Sequence, residues 1–283
     1  MIRCWPGGRG HEQTGPACGT QAPPDDLIVM YRIVIPARYA STRLPGKPLQ
    51  ALAGRPMLAW VHDRALACTA DEVIIATDDE RIRVVAEAFG AKVEMTAVEH
   101  ASGTDRIAEV ASRRGWNDED VVVNLQGDEP SMPAVLIEQV AMLLIDHAGA
   151  DIATLATPVA DRDEYFDPNA VKVVTDLEGR ALYFSRAPIP WFRDQIEPDA
   201  AELRAVARRH LGIYAYRVGA LRRLAALPPT PLEQIEKLEQ LRALAQGMCI
   251  QVGEAACRPG PDVNTAEDLA RAAAALSRIP GVS

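Results

Sequence analysis

The sequence lacks the marks of a membrane protein, a disulfide-stabilised protein and a nucleic-acid-binding protein. No apolar run approaches the roughly 20 residues that a membrane-spanning helix needs. The five cysteines are odd in number and show no paired metal-binding spacing, so we expect reduced thiols in a cytoplasmic protein. The net charge of −9 argues against a nucleic-acid partner, which usually contacts a basic surface.

An internal repeat is also lacking, and the composition is that of an ordinary globular protein. Hydrophobic residues make up 48% of the chain and charged residues 24%. A chain of 283 residues can bury a full core, so we expect one large α/β domain over residues 30–278.

Residues 1–29 differ in composition from the rest of the chain. They are rich in glycine, proline and polar residues and contain no apolar segment of the kind found in signal peptides. We interpret them either as a disordered leader or as the product of a start codon placed too early, with Met30 as the natural start.

The stretch from Arg32 to Pro48 is the feature around which the chain is organised. Its apolar beginning, Arg32–Ala37, predicts a strand buried on both faces of a parallel sheet. The loop that follows contains a glycine, a hydroxyl and three cations: Gly46, Ser41, Arg38, Arg43 and Lys47. Ligands bind at the carboxyl ends of strands in open α/β sheets, and arginine and lysine bind phosphates. The loop therefore predicts a triphosphate site, with a solvated basic loop as the alternative; it matches neither the Walker motif nor G-x-G-x-x-G.

Strands and helices then alternate up to residue 148. We predict helices at 54–68 and 80–89 and strands at 73–76, 92–95 and 121–125. This alternation predicts a doubly wound, mainly parallel sheet.

Two polar turns follow predicted structure in this half. Ser102 and its neighbours precede a helix, where they either cap it or turn backbone amides toward a ligand. Gln126, Asp128 and Glu129 follow the strand at 121–125. A carboxylate at that position suits Mg²⁺, which takes one or two carboxylates together with phosphate oxygens, although turn carboxylates are often only solvated or capping.

The second half, about 151–278, predicts a β-hairpin turning at Asp176–Gly179 and a strand at Arg208–Arg217. His210 and Tyr214 are four residues apart on that strand and share a face, which makes either a site or a core role reasonable for the histidine. The segment Thr230–Ala245 predicts one amphipathic helix with a solvated charged face.

Eight segments in this order make the chain resemble the 3-deoxy-manno-octulosonate (Kdo) cytidylyltransferases. They are IPARYASTRLPGKPL, HASGTDR, NLQGDEP, PNAVKVV, ALYFSRAPIPW, RHLGIYAYR, PLEQIEKLEQLR and NTAEDL. The resemblance implies a Rossmann-like nucleotidyltransferase fold with a smaller β-rich portion. It also implies a reaction of CTP with Kdo that gives CMP-Kdo and diphosphate for lipopolysaccharide synthesis, Mg²⁺ as cofactor, and a cytoplasmic homodimer.

The resemblance also assigns site residues. It implies that CTP binds in the half at about 30–150, to Arg38, Ser41, Arg43, Lys47, Ser102 and Gln126. Arg38, Lys47 and Asp128 would be catalytic, with Asp128 binding the metal. It implies that Kdo contacts Gln126, Arg186, His210, Tyr214, Glu239 and Gln240, with Arg186 facing the carboxylate.

One position departs from the family pattern. The family's usual VDTPEDL reads VNTAEDL here, which places Asn264 where a metal-binding aspartate is expected. Asn264 would offer a neutral carbonyl oxygen, and Asp262 would be the alternative ligand.

Three other functions are compatible with parts of the pattern. A cytidylyltransferase for sialic acid or another sugar acid would share the first loop. A sugar-1-phosphate nucleotidyltransferase would share the fold, and a non-catalytic nucleotide-binding protein would explain the lost carboxylate. Asp128, Arg186 and His210 argue against the last.

Overall fold

A computed structural model of the chain describes residues 30–40, 44–194, 198–263 and 265–276. Its strands are β1 Tyr31–Ala37, β2 Ala51–Leu52, β3 Arg55–Pro56, β4 Glu72–Thr77, β5 Lys92–Met95, β6 Val121–Asn124, β7 Ile152–Pro158, β8 Lys172–Thr175, β9 Ala181–Ser185, β10 Arg208–Arg217 and β11 Ile250–Glu254. Its α-helices are α1 Met57–Leu66, α2 Glu80–Ala88, α3 Gly103–Arg113, α4 Ala134–Asp146, α5 Arg162–Phe166, α6 Ala200–Val206, α7 Val218–Ala226, α8 Pro231–Glu236, α9 Gln240–Ala245 and α10 Ala266–Leu276. A 3-10 helix spans Lys47–Leu49.

The central sheet has the order β11-β7-β10-β6-β1-β4-β5. β1 is parallel to β4 and β6, β4 to β5, and β7 to β11, whereas β10 is antiparallel to both β6 and β7. Six of these seven strands therefore run in one direction, which confirms the predicted mainly parallel sheet. β8 joins the start of β10, and β9 pairs with β8 as the predicted hairpin.

Helices cover both faces of the sheet because its central strands are apolar on both sides. Ile33 and Ile35 face a core that includes residues of α1, α2 and α4, while Val34 faces residues of α3, α7 and α9. All three side chains are fully buried. The unbroken apolar run that predicted a doubly covered strand therefore marks the middle of the protein.

The prediction of a single helix over Thr230–Ala245 is wrong. The segment forms α8 and α9, separated at Lys237, whose φ of 55° is left-handed. Ile235 is 79% exposed, whereas Leu238 is buried, so the apolar positions do not form one continuous buried face. The break places the first residues of α9 against the sheet, and this decides the shape of the site below.

The described residues contain no helix long and apolar enough to cross a membrane. Cys68, Cys249 and Cys257 are free thiols. Cys4 and Cys18, like the rest of residues 1–29, lie outside the described residues.

Candidate active site

Three adjoining cavities open at the carboxyl ends of β1 and β6, and all three include Gln126. The loop cavity, about 360 Å³, is bounded by the β1 loop, Lys47 and Asp128. The β10 cavity, about 370 Å³, lies beside His210 and Tyr214. The inner cavity, about 110 Å³, lies between them and the start of α9. This is the edge of the sheet at which the sequence predicts the ligand site.

The loop cavity collects the predicted cations and a carboxylate. Lys47 Nζ donates to Asp128 Oδ2 at 2.6 Å, and Arg38 Nη2 donates to the Ala101 carbonyl at 2.7 Å. The structure therefore brings Arg38, Lys47 and Asp128 to one cavity, although they are up to 90 residues apart in sequence. Ser41 and Arg43 lie outside the described residues, so their predicted contacts stay predictions.

Glycines allow the elements around the loop cavity to approach closely. A Cβ at Gly127 would lie 2.9 Å from the Pro36 carbonyl oxygen, and one at Gly103 would lie 3.1 Å from the Pro36 ring. Gly46 has a φ of +63° and donates its amide to the Tyr39 carbonyl. The glycines thus let the loop after β1, the turn after β6 and the start of α3 share one site.

Ser102 caps α3. Its Oγ accepts from the Asp105 amide at 3.1 Å, and Asp105 Oδ2 accepts from the Ser102 amide at 2.9 Å. The capping interpretation of this turn is confirmed. Ser102 does not line the loop cavity, but the next residue, Gly103, does; a contact of Ser102 with a nucleotide remains a prediction.

Carboxyl groups cluster where the loop and β10 cavities meet. Asp128 lines both cavities, and Glu129 and Asp262 line the β10 cavity. Burial and, after it, the nearby Asp128 and Asp262 raise the pKa of Glu129 well above its ordinary value. Glu129 Oε2 is buried and has no hydrogen-bond partner within the described part of the chain. Sequence reasoning named Glu129 only as a turn residue, and its burial between two other acids could not be read from NLQGDEP.

This cluster suits a hard divalent cation. Its donors are carboxyl oxygens, the ligands that Mg²⁺ prefers, and the buried Glu129 Oε2 lacks a hydrogen-bond partner among the described residues. Within the described ranges, no three His, Cys, Asp or Glu side chains are arranged as a complete metal site. That is compatible with Mg²⁺, which takes few protein carboxylates and completes its shell with water and phosphate. Asn264 lies outside the described residues.

The β10 cavity contains a neutral histidine. His210 Nε2 lies 3.0 Å from Thr154 Oγ1, which lies 2.7 Å from the Ile213 carbonyl. Since a hydroxyl has one proton, Thr154 donates to the carbonyl and accepts from Nε2–H, and this leaves His210 Nδ1 as an acceptor. Burial, with a smaller effect of Arg209, lowers the pKa of His210 to about 3.

Tyr214 shares the face of His210, as the period of two predicts. Their ring centroids are 5.3 Å apart. The pairing of β10 with β7 shifts register between Leu211 and Tyr214, and the bulge places Gly212 at the cavity wall. Burial raises the pKa of the Tyr214 phenol, so its hydroxyl stays a donor.

The inner cavity is bordered by a network of buried hydrogen-bonding groups. Tyr216 is hydrogen-bonded to the side chains of Thr104 and Asn124, and Glu239 is bonded to those of Thr104 and Ser102. Burial raises the pKa of Glu239. The glutamate therefore does not belong to a solvated helix face. It joins the start of α3 to the start of α9, beside the buried Gln240.

Arg186, like Ser102, is a predicted site residue that lines none of the three cavities. Its Nε donates to the Glu236 carbonyl at 2.6 Å and its Nη1 to the Pro168 carbonyl at 2.8 Å. Arg209 does line the β10 cavity, and its Nη1 donates to Glu164 at 2.8 Å.

A basic loop, a strand-end carboxylate and a cavity with a neutral histidine adjoin at one glutamine of an α/β sheet, an arrangement that fits a nucleotidyltransferase. A family model described as "Cytidylyltransferase" matches residues 32–250. Two relatives bear the name 3-deoxy-manno-octulosonate cytidylyltransferase. That of Thioalkalivibrio sulfidiphilus is 54% identical over 85% of this chain and 96% of its own, and that of Cellvibrio japonicus is 52% identical over 87% and 98%. The chain belongs to the 3-deoxy-manno-octulosonate cytidylyltransferase family.

Solved structures agree with this assignment. A CMP:2-keto-3-deoxy-manno-octonic acid synthetase complexed with CTP is 41% identical and superposes with a TM-score of 0.80, over 88% of this chain and 99% of that one. A cytidylyltransferase from Leptospira borgpetersenii serovar Hardjo-bovis, 16% identical with a TM-score of 0.58, shares the fold.

Proposed function

We propose that this chain transfers the cytidylyl group of CTP to the anomeric hydroxyl of Kdo, giving CMP-Kdo and diphosphate for lipopolysaccharide synthesis. The observation that carries the proposal is the shared boundary of the loop cavity and the β10 cavity at Gln126 and Asp128. A hydroxyl in one cavity can meet an α-phosphate in the other across this boundary. Such positioning is most of what phosphoryl-type transfer requires from a protein.

The loop cavity is the place of the triphosphate. Arg38 and Lys47 supply cations to a polyanion, and the Lys47 ammonium, now on Asp128, is within reach of a phosphate that enters beside it. Ser41 and Arg43 belong to the same loop by sequence, and Ser102 lies at the edge where the nucleoside would extend. The cations Arg38, Arg43 and Lys47 would neutralise the charge that builds up on the departing diphosphate.

The β10 cavity is the place of the sugar acid. Kdo offers many hydroxyls, and the wall offers an acceptor at His210 Nδ1, a donor at Tyr214 and an amide at Gln240. Neutral groups of this kind discriminate between sugars by hydrogen bonding, because a sugar that leaves a buried polar group without a partner binds less tightly. Glu239 holds the start of α9 in place beside Gln240. Arg186, or Arg209 at the cavity wall, is the candidate cation for the sugar carboxylate.

Mg²⁺ fits this site as the cofactor. Asp128 would hold it, with Asp262 or Asn264 as the second protein ligand. When bound, the ion supplies charge neutralisation between phosphate oxygens. Lys47 would then leave Asp128 for the phosphates, because the ion and the ammonium compete for the same carboxylate.

A pyrophosphate-release assay tests the proposal. Purified protein with CTP and Mg²⁺ is given Kdo or sialic acid, each with and without EDTA. Release that depends on Kdo and is abolished by EDTA is the expected result. Release with sialic acid alone would favour the related sugar-acid enzyme, and CTP binding without release would favour the non-catalytic alternative.

We also infer a cytoplasmic homodimer that associates through the second half of the chain. Leu182 on β9 and Ile235 on α8 are 62% and 79% exposed, and within the described residues β9 pairs on one side only. Exposed apolar side chains beside a strand edge favour association. Light scattering of Ile235→Glu against wild type tests this, with a monomeric variant expected.

A further inference from the structure

Lys172, the first residue of β8, is a fully buried lysine outside the three cavities. Its Nζ donates to three backbone carbonyls: those of Asp167 at 2.9 Å, Ala170 at 2.5 Å and Arg186 at 2.9 Å. An ammonium group has three protons, so these bonds use all of its donor capacity. A buried charge is costly unless it is fully hydrogen-bonded, as this one is.

Two of the three carbonyls, those of Asp167 and Ala170, belong to the segment 167–171, which forms part of one wall of the β10 cavity. Asn169 and Val171, from the segment 167–171, line that cavity. The Val171 carbonyl accepts the backbone amide of His210 at 2.8 Å. The Lys172 ammonium therefore lies behind this wall. It is linked to His210 through the segment 167–171, because it bonds the Ala170 carbonyl and the next residue, Val171, accepts the His210 amide.

Arg186 does not line the cavity but is hydrogen-bonded to the segment that forms this wall. Lys172 Nζ donates to the Arg186 carbonyl, and the Arg186 guanidinium donates to the Pro168 carbonyl at 2.8 Å. The Arg186 amide donates to Glu236 Oε2 at 3.0 Å, which attaches the wall to α8. Lys172 is thus the common hydrogen-bond donor of the segment 167–171 and of the end of β9.

We propose that Lys172 is a positioning residue of the acceptor site: it fixes the segment 167–171, the backbone of Arg186 and, through Val171, the position of His210, without touching substrate. Only the identity of the acceptor rests on the proposed function. None of the residues that Lys172 bonds lines the loop cavity, so the effect is confined to one substrate.

The kinetic test compares Lys172→Met with wild type. The variant keeps the length of the side chain and removes the ammonium. KM for Kdo is expected to rise by about tenfold to a hundredfold, because small displacements of binding groups are costly, while KM for CTP stays within about twofold. Lys92→Met is the matched control: Lys92 is an exposed lysine bonded to Glu72, and its loss should change neither constant.

A double-mutant cycle with Arg186→Ala separates positioning from general destabilisation. If Lys172 and Arg186 act through the same segment, KM for Kdo in the double variant rises clearly less than the product of the two single rises. Multiplicative effects, or equal rises in KM for both substrates, would overturn the proposal. If Lys172→Met does not fold, Lys172→Arg takes its place, with a smaller selective rise expected.

Hydrogen exchange tests the proposal independently of the reaction. In Lys172→Met or, if that variant does not fold, Lys172→Arg, amides of 167–171 should exchange faster while those of 44–49 do not, whichever sugar acid the protein uses. Unchanged exchange at 167–171 would overturn the proposal. Absence of pyrophosphate release from wild type, by contrast, would count against the proposed function and leave this result standing.

Discussion

The loop cavity and the β10 cavity share Gln126 and Asp128 but are otherwise lined by different kinds of groups. The loop cavity presents charges, Arg38, Lys47 and Asp128, on a loop and two strand ends. The β10 cavity is also lined by Glu129, Arg209 and Asp262, but it adds a neutral histidine, a phenol and an amide that the loop cavity lacks. If the proposed sites are right, the comparison teaches that charge for a polyanion can come from a short segment, whereas hydrogen-bonding groups for a polyol must be oriented by the assembled fold.

The largest expected effect comes from removing the carboxylate at the boundary of the two cavities. Asp128→Asn keeps the shape of the side chain but loses its charge, its strong bond to Lys47 and its capacity to hold a cation. We expect kcat for pyrophosphate release to fall by at least about 100-fold. Asp118→Asn, an exposed aspartate paired with Arg222, is the control. A loss of less than about threefold would remove Asp128 from the catalytic account.

The burial of His210 in its neutral form predicts how the free energy of unfolding depends on pH. The pKa of His210 is about 3 in the folded protein and about 6.5 when unfolded. Between those values only the unfolded chain binds the proton, so this residue destabilises the fold progressively as pH falls below 6.5, and it has no effect above that pH. At pH 5 the contribution is about 2 kcal/mol.

His210→Gln should therefore narrow the difference in unfolding free energy between pH 7 and pH 5 by about 2 kcal/mol, measured by urea denaturation. His147→Gln, at an exposed position after α4, is the matched control and should keep the wild-type difference. An unchanged difference in His210→Gln would mean that His210 is charged in the folded protein, and the contrast between the cavities would fail.

The charged character of the loop cavity predicts sensitivity to salt. Lys47→Met should raise KM for CTP by about tenfold and weaken its dependence on ionic strength, because one cation no longer attracts the triphosphate. KM for Kdo should keep its wild-type value and salt dependence. Steady-state kinetics at low and high salt check this. An equal effect of salt on KM for CTP and KM for Kdo would contradict the assignment of the two substrates to different cavities.

The smallest expected effect concerns the break between α8 and α9. Lys237 has φ 55° and ψ 46°, a conformation unfavourable for a residue with a Cβ. Lys237→Gly should stabilise the protein by about 0.5 kcal/mol, the difference between relieved strain and added chain entropy. Gln234→Gly, inside α8, should instead destabilise by about 1 kcal/mol. Destabilisation at both positions, seen in thermal unfolding, would mean that the segment is one helix after all.

The same division explains what could be predicted from the sequence. The strand at Arg208–Arg217 was predictable from its own residue pattern. The loop after β1 was predictable because its glycine and cations lie within one short stretch. Arg38, Lys47 and Asp128 then meet because carboxyl ends of parallel strands share an edge of the sheet.

The acceptor side was less predictable because its decisive contacts are long-range. Nothing within Thr230–Ala245 announces a break at Lys237, since the Leu and Ile spacing fits one helix. The environment of Glu129 depends on Asp262, which is distant in the chain. The carbonyls around Lys172 come from the adjacent segment 167–171 and from Arg186, at the end of β9. Only the resemblance pointed to Glu239, and the structure shows why it is buried: it is bonded to the start of α3.

A crystal structure with CTP and an unreactive Kdo analogue that lacks the anomeric hydroxyl would test the central claim most directly. The account predicts the triphosphate beside Arg38 and Lys47, with Lys47 Nζ moved away from Asp128. It predicts the analogue in the β10 cavity, in contact with His210 and Tyr214. Binding of the analogue instead in the neighbouring recess lined by Arg209, Arg258 and Arg271 would contradict the proposal, because neither His210 nor Tyr214 lines that recess.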